Sequence, residues 1–496
     1  MKLTLGIDLG TQSTKALVYD PEAKVILDVT QSPHDIIQRG DGTSEQRADW
    51  WIAAVTDCLG RIDARLRQKV VAIGVSGQQH GFVPVDADGN VTYNVKLWND
   101  TSTEEECHLI TEAFGGRQSL IAKVGNPILP GYTAPKVLWL KRHAPEAYAA
   151  MAHILLPHDY LNYFFTHSYT AEAGDASGTA YFDVYNRTWS SAVLKAMDAS
   201  RDLSLCLPKL VESHMPAGQI DKSVAGRFGF AEDVLVSSGG GDNMMAAIGT
   251  GCAKSGVFTM SLGTSGTLFG YSEHPLVDPD GLVAAFCSST GGWLPLVCTM
   301  NCTVASELNR SLLDIPLSDL DPLAASVEPG ANGLITLPYY NGERTPNLPS
   351  ARGCVFGITP QNYTRAHLLR SAMEAAVFAL RYGQDAFSAL GANPDTIQLT
   401  GGGAHSQVWR QMVADISGSK VKCPNVKEAA ALGAALQAWW MIQGQAGHPT
   451  PIAELVAEHV PSDSEAITPN PRNREIYAGV YREYLEIMRL LTPKFV

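Results

Sequence analysis

A turn rich in glycine, threonine and serine occurs twice in this chain, each time after an apolar segment that predicts a strand. The first turn is at 10–14, after the segment 3–8, and the second is at 263–267, after the segment 257–262, about 250 residues later. One such turn is common in any hairpin. Two of them, half a chain apart in 496 residues, predict two domains of similar fold, joined near 244–256.

Strand and helix patterns alternate along the chain. Apolar runs predict strands at 3–8, 15–20, 70–75, 233–236, 257–262, 334–340 and 396–400. Apolar residues at helical spacing predict helices at 365–390, 408–416, 428–442 and 474–491. This alternation indicates an α/β fold. The small residues at 428–435 predict a helix that packs closely against a neighbour or lines a nucleotide pocket.

Composition excludes several function classes. The 37 basic and 50 acidic residues give a net charge of −13, which disfavours nucleic acid and anionic membranes as partners. No apolar run reaches the roughly 18 residues of a membrane helix, and Asp8 interrupts what would be a signal peptide, so we expect a cytoplasmic enzyme. The phosphate loop GxxxxGK[ST], the HExxH motif and the GxSxG elbow are absent from the sequence.

Both turns suit phosphate groups, because glycine lets backbone N–H groups approach closely and the hydroxyls donate further hydrogen bonds. Two facing turns would hold a polyphosphate from both sides; either alone is an ordinary hairpin. Asp8 lies just before the first turn. Near a nucleotide its carboxylate would hold Mg²⁺, usually through water; otherwise it would cap local backbone N–H groups.

Three glycines at 239–241 precede Asp242, where a helix is predicted to begin. The helix dipole favours an ionised carboxylate at that position. Such a group could accept a proton from a sugar hydroxyl, although an aspartate that only caps a helix is common. A second triplet, at 401–403, could admit a base and ribose or let two backbones pack. The polar and aromatic residues 78–80 and 98–100 follow strand-like runs and make a sugar site plausible.

In their order along the chain, these segments resemble the FGGY carbohydrate kinases, sugar kinases on the actin-like ATPase fold. The resemblance covers essentially the whole chain. The segments that carry it are GIDLGTQSTK at 6–15, SGQQHG at 76–81, LWND at 97–100, GYTAPK at 131–136, LPHDYL at 156–161, GDASGT at 174–179, GGGDN at 239–243, SLGTSGT at 261–267, LPYYNGERTPN at 337–347 and GGGAHSQVWRQMVADI at 401–416.

The resemblance implies a two-domain actin-like ATPase (ribonuclease H-like) fold with a cleft between the duplicated α/β domains. It implies a sugar-binding domain with the catalytic base at 1–245 and a nucleotide-binding domain at 246–496. It also implies that the last helix, about 474–491, packs back on the first domain.

The resemblance also assigns roles to individual residues. Asp242 would be the catalytic base and Asp8 the carboxylate associated with the metal. The residues expected to contact the sugar are Gln79, His80, Trp98, Asp100, Asp242 and Asn243. The residues expected to contact ATP are Thr11, Gln12 and Ser13 in the first turn, Gly263, Thr264 and Ser265 in the second, and Gly402, Gly403 and Ser406 beside the adenosine.

Within the family, the segments are most similar to the members that phosphorylate D-xylulose. We therefore expect Mg²⁺-dependent transfer from ATP to the C5 hydroxyl of D-xylulose. D-ribulose, L-xylulose or D-arabitol could take the same chemistry. A non-catalytic sugar- and ATP-binding protein is a third reading, which the presence of both Asp8 and Asp242 disfavours. The resemblance leaves room for a homodimer and implies neither nucleic acid nor membrane as a partner.

Overall fold

The computed structural model of the chain describes residues 2–461 and 465–495. The first large sheet contains β1 (Leu3–Leu9), β2 (Ser13–Asp20), β3 (Val25–Pro33), β4 (Val70–Gly77), β5 (Pro216–Gln219), β6 (Leu235–Ser237) and β7 (Gly240–Gly241). Its order is β5-β6-β4-β1-β2-β3, with β7 paired to the end of β4. β1, β2 and β3 form an antiparallel meander, and β4 runs parallel to β1.

The second large sheet repeats this topology. It contains β8 (Val257–Leu262), β9 (Gly266–Gly270), β10 (Leu296–Thr299), β11 (Thr396–Thr400) and β12 (Lys420–Lys422). Its order is β10-β9-β8-β11-β12: an antiparallel meander followed by two strands parallel to its first strand. The two glycine-rich turns connect equivalent strands, β1 to β2 and β8 to β9. The predicted internal repeat is therefore a repeat of topology.

Seven helices matter for the argument below. They are α1 (Ala48–Arg61), α2 (Pro157–Thr166), α3 (Asp242–Thr250), α4 (Arg365–Ala389), α5 (Gln407–Ser417), α6 (Ala429–Gln445) and α7 (Pro471–Leu491). The other α-helices are Ala64–Arg67, Glu104–Phe114, Arg117–Val124, Thr133–His143, Pro145–Ala150, Ala173–Ala176, Ser191–Met197, Lys222–Phe228, Thr303–Leu312, Leu320–Ala325 and Ile452–His459. Within residues 2–461 and 465–495, none of the helices has the length and apolar character needed to span a membrane.

Short strands complete the insertions between these elements. They are Ile37–Gln38, Ser44–Gln46, Val83–Val85, Val95–Lys96, His153–Leu155, Thr170–Glu172, Phe182–Asp183, Thr188–Trp189, Lys209–Val211, Ile335–Leu337 and Cys354–Phe356. The predicted strands at 257–262 and 396–400 and the four predicted helices are confirmed, with helix ends shifted by three residues or fewer. The strand predicted at 334–340 is shorter, because the chain turns at Pro338 towards the loop at 341–346.

α6 lies across the first sheet, although it follows the second sheet in sequence. A Cβ on Gly6 of β1 would lie 1.9 Å from the carbonyl oxygen of Ala431, and one on Gly74 of β4 would lie 1.9 Å from that of Ala434. Only glycine permits this approach of helix backbone to strand backbone. The close packing predicted for the small-residue helix is confirmed, and α6 is the element that joins the two halves.

The last helix lies elsewhere than expected. Tyr477 and Tyr484 of α7 are buried in the core of the second domain with Phe378 of α4. Tyr477 also contacts Arg370 and Glu374 of α4 through its hydroxyl. The tyrosines of α7 pack with the apolar residues of α4, whereas α6 fits against the first sheet because its residues are small. The division at 245/246 stays a prediction; α3 runs across it.

Candidate active site

Neighbouring strand ends bring Asp8 and Asp242 to the same edge of the first sheet. Asp8 of β1 lies opposite Ser76 of β4, and Ser76 lies opposite Gly240 of β7. α3 begins directly after β7, at Asp242. The two acidic residues singled out in the sequence are therefore neighbours, although they are 234 positions apart.

Asp242 is half-buried, and its Oδ1 accepts hydrogen bonds from the backbone N–H of Asn243 at 2.8 Å and from Asn243 Nδ2 at 3.0 Å. Burial, together with the charges of Asp8 and Asp175, raises the pKa of Asp242 to about 7. The expected preference for the ionised form at a helix start is thus outweighed by burial and like charge. A carboxyl group with a pKa near neutrality is suited to accept a proton from a substrate hydroxyl.

Among residues 2–461 and 465–495, Asp8 accepts a side-chain hydrogen bond through one of its two oxygens. Its Oδ1 accepts a hydrogen bond from Ser76 Oγ at 2.8 Å, and burial raises its pKa against the opposing effects of Ser76 and Lys15. Within the described part of the chain, no group of three histidine, cysteine or acidic residues is placed to hold a metal. This donor set fits Mg²⁺, which protein sites often bind through one or two carboxylates, substrate phosphates and water.

An ion pair connects the first sheet to the start of α6 beside Asp8. Lys15 of β2, which is opposite Asp8 in the antiparallel pairing, has its Nζ 2.5 Å from Glu428 Oε2. Both side chains are about three-quarters covered, at 25% and 23% exposed. The pair adds a charged contact between the two halves at the site.

Gln79, His80 and Asn243 lie together, as expected for a sugar site. Gln79 Oε1 accepts a hydrogen bond from Asn243 Nδ2 at 2.8 Å, whereas Gln79 Nε2 is buried and has no hydrogen-bond partner in the part of the chain that the structure describes. The His80 ring lies against Tyr132 and Phe286, with centroids 4.9 and 5.5 Å away. Burial and the charges of Lys136 and Arg344 hold the pKa of His80 well below its usual value, so the ring is neutral.

Trp98 and Asp100 differ in what they can offer a ligand. Trp98 Nε1 donates to Thr11 Oγ1 at 2.9 Å, which joins the residue to the first turn. Asp100 is fully buried, and both its oxygens already accept hydrogen bonds, from the Ser44 N–H, Lys96 Nζ and the Ser102 N–H and hydroxyl. A sugar contact by Asp100, which stays a prediction, would require one of these bonds to break.

The first turn is closed by a hydrogen bond from the Gly10 N–H to the Ser13 carbonyl at 3.0 Å. Gln12 is exposed, and its carbonyl accepts from the His34 N–H at 3.1 Å. Ser13 Oγ accepts from Gln31 Nε2 at 2.9 Å. Hydrogen bonds to neighbouring residues therefore hold the turn in place, and the Gln12 side chain is exposed to solvent.

The second turn is held against the start of the helix Thr303–Leu312. The Gly263 carbonyl accepts from the Thr303 N–H and the Thr264 carbonyl from the Cys302 N–H, both at 3.0 Å. A Cβ on Gly401, which has a φ of +82°, would lie 3.0 Å from the Gly263 nitrogen. The second turn and the glycine triplet at 401–403 are therefore adjacent.

The three residues expected beside the adenosine have different surroundings. Gly402 is exposed, with nothing within 4 Å of where its Cβ would lie. Gly403 is buried against Leu262 and Trp409. Ser406 caps α5 by accepting from the Trp409 N–H at 3.0 Å and donates to Asp321. Gly402 is thus exposed, Ser406 partly exposed and Gly403 buried.

Sequence reasoning gave no role to Asp175, which lies beside Asp242. Asp175 Oδ2 accepts from His158 Nδ1 at 2.6 Å, and His158 Nε2 lies 3.0 Å from Asp159 Oδ1. The two carboxylates raise the pKa of His158 well above its usual value, despite burial. Asp175 Oδ1 is buried and has no partner in the described residues. The segments LPHDYL and GDASGT both belong to the family resemblance, but no local pattern in the sequence indicates that they lie next to each other.

Arg344 reaches the sugar residues from the second domain. Its loop is held by Glu343, which accepts from the Met300 N–H at 2.6 Å. A Cβ on Gly131 would lie 3.9 Å from the Arg344 guanidinium. The charge of Arg344 adds to the lowering of the His80 pKa by burial, and it opposes the larger rise that burial causes in the pKa of Cys298. Among the described residues, no carboxylate lies within 4.0 Å of the Arg344 guanidinium.

Most of the chain is similar to one family of known proteins. The FGGY family of carbohydrate kinases, N-terminal domain, matches residues 3–249, and the C-terminal domain of the same family matches residues 258–442. The chain belongs to the FGGY family of carbohydrate kinases. As a member, it is a phosphotransferase, for which ATP is the phosphoryl donor.

Individual relatives of this FGGY kinase cover almost its whole length. The xylulose kinase of Haemophilus influenzae is 43% identical over 491 residues, 97% of this chain and 98% of the relative. That of Streptomyces coelicolor is 36% identical over 444 residues, 89% of each chain. The crystal structure of a xyloylose kinase from Brucella ovis superposes with a TM-score of 0.91 at 28% identity, over 99% of both chains. The predicted two-domain actin-like ATPase fold is confirmed.

Proposed function

We propose that this FGGY kinase transfers the γ-phosphoryl group of ATP to the C5 hydroxyl of D-xylulose. The observation that carries the proposal is the placement of Asp242, a carboxyl group with a pKa of about 7, beside the polar groups of Gln79, Asn243 and His80. The similarity to xylulose kinases supports the choice of sugar.

Asp242 accepts the proton of the C5 hydroxyl while the hydroxyl oxygen forms a bond to the γ-phosphorus. The bond from that phosphorus to the β–γ bridging oxygen breaks, and ADP leaves with the electron pair. In phosphoryl transfer a base of this kind contributes mainly by orienting the nucleophile. Asn243, bonded to the carboxylate, holds it in one orientation.

The nucleotide would be held by the two turns. Thr11, Gln12 and Ser13 contribute the first turn and Gly263, Thr264 and Ser265 the second; both have backbone N–H groups and hydroxyls suited to phosphate. The adenosine would lie along Gly402, Gly403 and Ser406, with open surface at Gly402. Asp8 would hold Mg²⁺, which when bound neutralises charge on the phosphates.

Another pentulose or a polyol is the second candidate. D-ribulose, L-xylulose and D-arabitol present a terminal hydroxyl to the same base. Asp175 Oδ1 and Gln79 Nε2 have no hydrogen-bond partner among residues 2–461 and 465–495 and would suit several arrangements of hydroxyl groups. We further propose that the enzyme works in the cytoplasm, in keeping with its acidic composition, and that it forms a homodimer.

The test is ADP release with Mg-ATP and a panel of pentuloses, pentitols, glycerol and hexuloses, with Asp242→Ala as the control. We expect strong stimulation by D-xylulose that is lost in the variant, while ATP binding, measured by calorimetry, is kept. Stimulation by another polyol alone would replace the sugar in the proposal. Turnover of Asp242→Ala near the wild-type rate would overturn the role of the base.

A further inference from the structure

A fully buried glutamine of α6, Gln437, uses its whole side-chain amide on groups of the segment that precedes Asp242 and of the second domain. Its Oε1 accepts hydrogen bonds from Ser237 Oγ at 2.8 Å and from the Gly239 N–H at 3.0 Å. Its Nε2 donates to the carbonyl oxygens of Gly239 at 3.0 Å and Ser289 at 3.3 Å. An amide side chain has two N–H groups and an oxygen with two lone pairs, so these four bonds saturate it.

The two bonds to Gly239 occur at an irregularity in the first sheet. Along β6 and β7, Val236 and Gly240 are paired with β4, and three residues lie between them. Their partners in β4 are Ile73 and Ser76, with two residues between them. This difference is a bulge of one residue, which leaves backbone groups without a partner in the ladder. The glutamine amide binds the N–H and the carbonyl of Gly239 instead.

The bulge depends on Gly239 being a glycine. Its φ is +72°, and a Cβ would lie 2.7 Å from the Val75 carbonyl oxygen. From Gly239 the chain passes through β7 and reaches Asp242, the first residue of α3, in three residues. The bulge therefore determines where the chain leaves the sheet, and with it the position of the Asp242 carboxylate. Bulges next to active sites commonly re-aim a side chain in this way.

The amide of Gln437 also connects the bulge to the second domain. Ser289 belongs to the segment between β9 and β10, and this segment packs on the first domain, where the Cys287 N–H donates to Ser177 Oγ at 2.9 Å. A Cβ on Gly240 would lie 2.3 Å from Ser289 Oγ. Gln437 is thus bonded at once to the bulge and to the segment of the second domain that lies against it.

This inference rests on the function proposed above, in which Asp242 is the base. We propose that Gln437 is a positioning residue for phosphoryl transfer. It holds the bulge Ser237–Gly239 in one conformation and thereby keeps the Asp242 carboxylate within reach of the acceptor hydroxyl. Its own four hydrogen-bonding positions are occupied by protein groups. If the amide were lost, the buried N–H and carbonyl of Gly239 would lack partners, which is costly, and the bulge would rearrange to pair them.

Gln437→Met tests the proposal, because methionine is unbranched, similar in length and unable to form the four bonds. We expect kcat with D-xylulose to fall at least tenfold, since small displacements of a catalytic group cost one to two orders of magnitude. The KM for ATP, and the Kd for D-xylulose measured by calorimetry in the presence of ADP, should change less than threefold. A folded variant with kcat within twofold of the wild type would overturn the proposal. So would a loss of sugar or ATP binding as large as the loss of kcat.

Gln384→Met is the matched control for burying methionine in place of glutamine in a helix. Gln384 is 4% exposed in α4 and donates to the Ser417 carbonyl at 3.0 Å. We expect this variant to unfold at a lower temperature and to retain kcat. If Gln384→Met lost as much kcat as Gln437→Met at a similar loss of stability, destabilisation alone would account for both results, and the positioning role would be wrong.

Ser237→Ala is a milder variant, which decides the question if Gln437→Met does not fold. It keeps the amide and removes one of its four bonds, so we expect kcat to fall about threefold with an unchanged KM for ATP. In the double variant with Gln437→Met, kcat should stay within about twofold of that of Gln437→Met, because the two residues share one bond. Without a folded Gln437→Met, a wild-type kcat in Ser237→Ala would overturn the proposal.

The same experiments separate this inference from the function on which it rests. A wild-type enzyme that phosphorylates none of the pentuloses and polyols of the panel would overturn the proposed function. An active wild type whose kcat survives Gln437→Met would overturn the role of Gln437 and leave the proposed function in place.

Discussion

Gly433 of α6 crosses Met245 of α3 so closely that a Cβ on the glycine would lie 1.8 Å from the Met245 carbonyl oxygen. At the same crossing, a Cβ on Gly249 of α3 would lie 1.9 Å from the Ala429 carbonyl oxygen of α6. α3 begins at Asp242, and α6 begins one residue after Glu428. The helix that carries the base is thus fixed directly against the helix that joins the two domains.

We expect Gly433→Ala to destabilise the protein by about 1–3 kcal/mol, because overpacking forces backbone shifts, and to lower kcat by moving the start of α3. Urea unfolding and steady-state kinetics measure the two effects. Gly444 lies in the same helix, with nothing within 4 Å of its Cβ position. Gly444→Ala should leave kcat unchanged and stabilise by up to about 1 kcal/mol. Equal behaviour of the two variants would contradict the close crossing.

The pH dependence of activity follows from the environment of Asp242. Since its pKa is about 7 and the base must be ionised, kcat/KM should fall as the pH decreases through 7 and be level above about 8. Asp175→Asn removes one of the negative charges that raise this pKa, so the fall should move to lower pH. Asp57→Asn, an exposed change on α1, serves as the control. If kcat/KM of Asp175→Asn fell at the same pH as in the wild type, or at a higher pH, this electrostatic coupling would be contradicted.

The contribution of Asp242 to folding stability should decrease as the pH rises, whereas activity should increase. The folded pKa of Asp242 is raised from 3.8 to about 7, so the unfolded chain binds fewer protons between these values and folding is weakened as the pH rises through them. Asp242→Asn should therefore unfold at higher temperature than the wild type at pH 8, with a difference that vanishes below pH 4. Thermal melts across this range measure it; a variant less stable than the wild type at pH 8 would contradict the shift.

Much of the fold follows from patterns that are local in the sequence. The turns at 10–14 and 263–267 mark equivalent strand connections, and the glycines before Asp242 mark a strand that ends where a helix begins. Asp8 and Asp242 could be paired only through the family resemblance, because the β1–β4–β7 register that joins them is not written in either segment. The sequence likewise gives no sign that Asp175 lies beside Asp242, since the two residues are 67 positions apart.

The packing of α7 and the surroundings of Asp100 and Ser406 have one thing in common. The periodicity of α7 indicates an apolar face but not which apolar surface receives it, and here α4 does. Asp100 lies in a recognised motif, yet its oxygens are occupied by Lys96, Ser44 and Ser102. Ser406 lies where a helix begins, and its hydroxyl caps α5. In each case tertiary partners, which the local sequence does not specify, determine what surrounds the residue.

Arg344 gives a prediction about the part of the second domain that faces the sugar. Its guanidinium lies near His80 and forms no ion pair with an acidic residue of the described chain, so we expect it to bind a sugar or phosphate oxygen when substrate arrives. A hydrogen bond to a charged group contributes about 1.5–3 kcal/mol, so Arg344→Gln should raise the KM for D-xylulose about tenfold or more, and Arg344→Lys, which keeps the charge, should raise it less. Arg352, exposed a few residues later, is the control, and Arg352→Gln should leave KM unchanged. An Arg344→Gln enzyme with the wild-type KM would show that the substrate does not use this guanidinium.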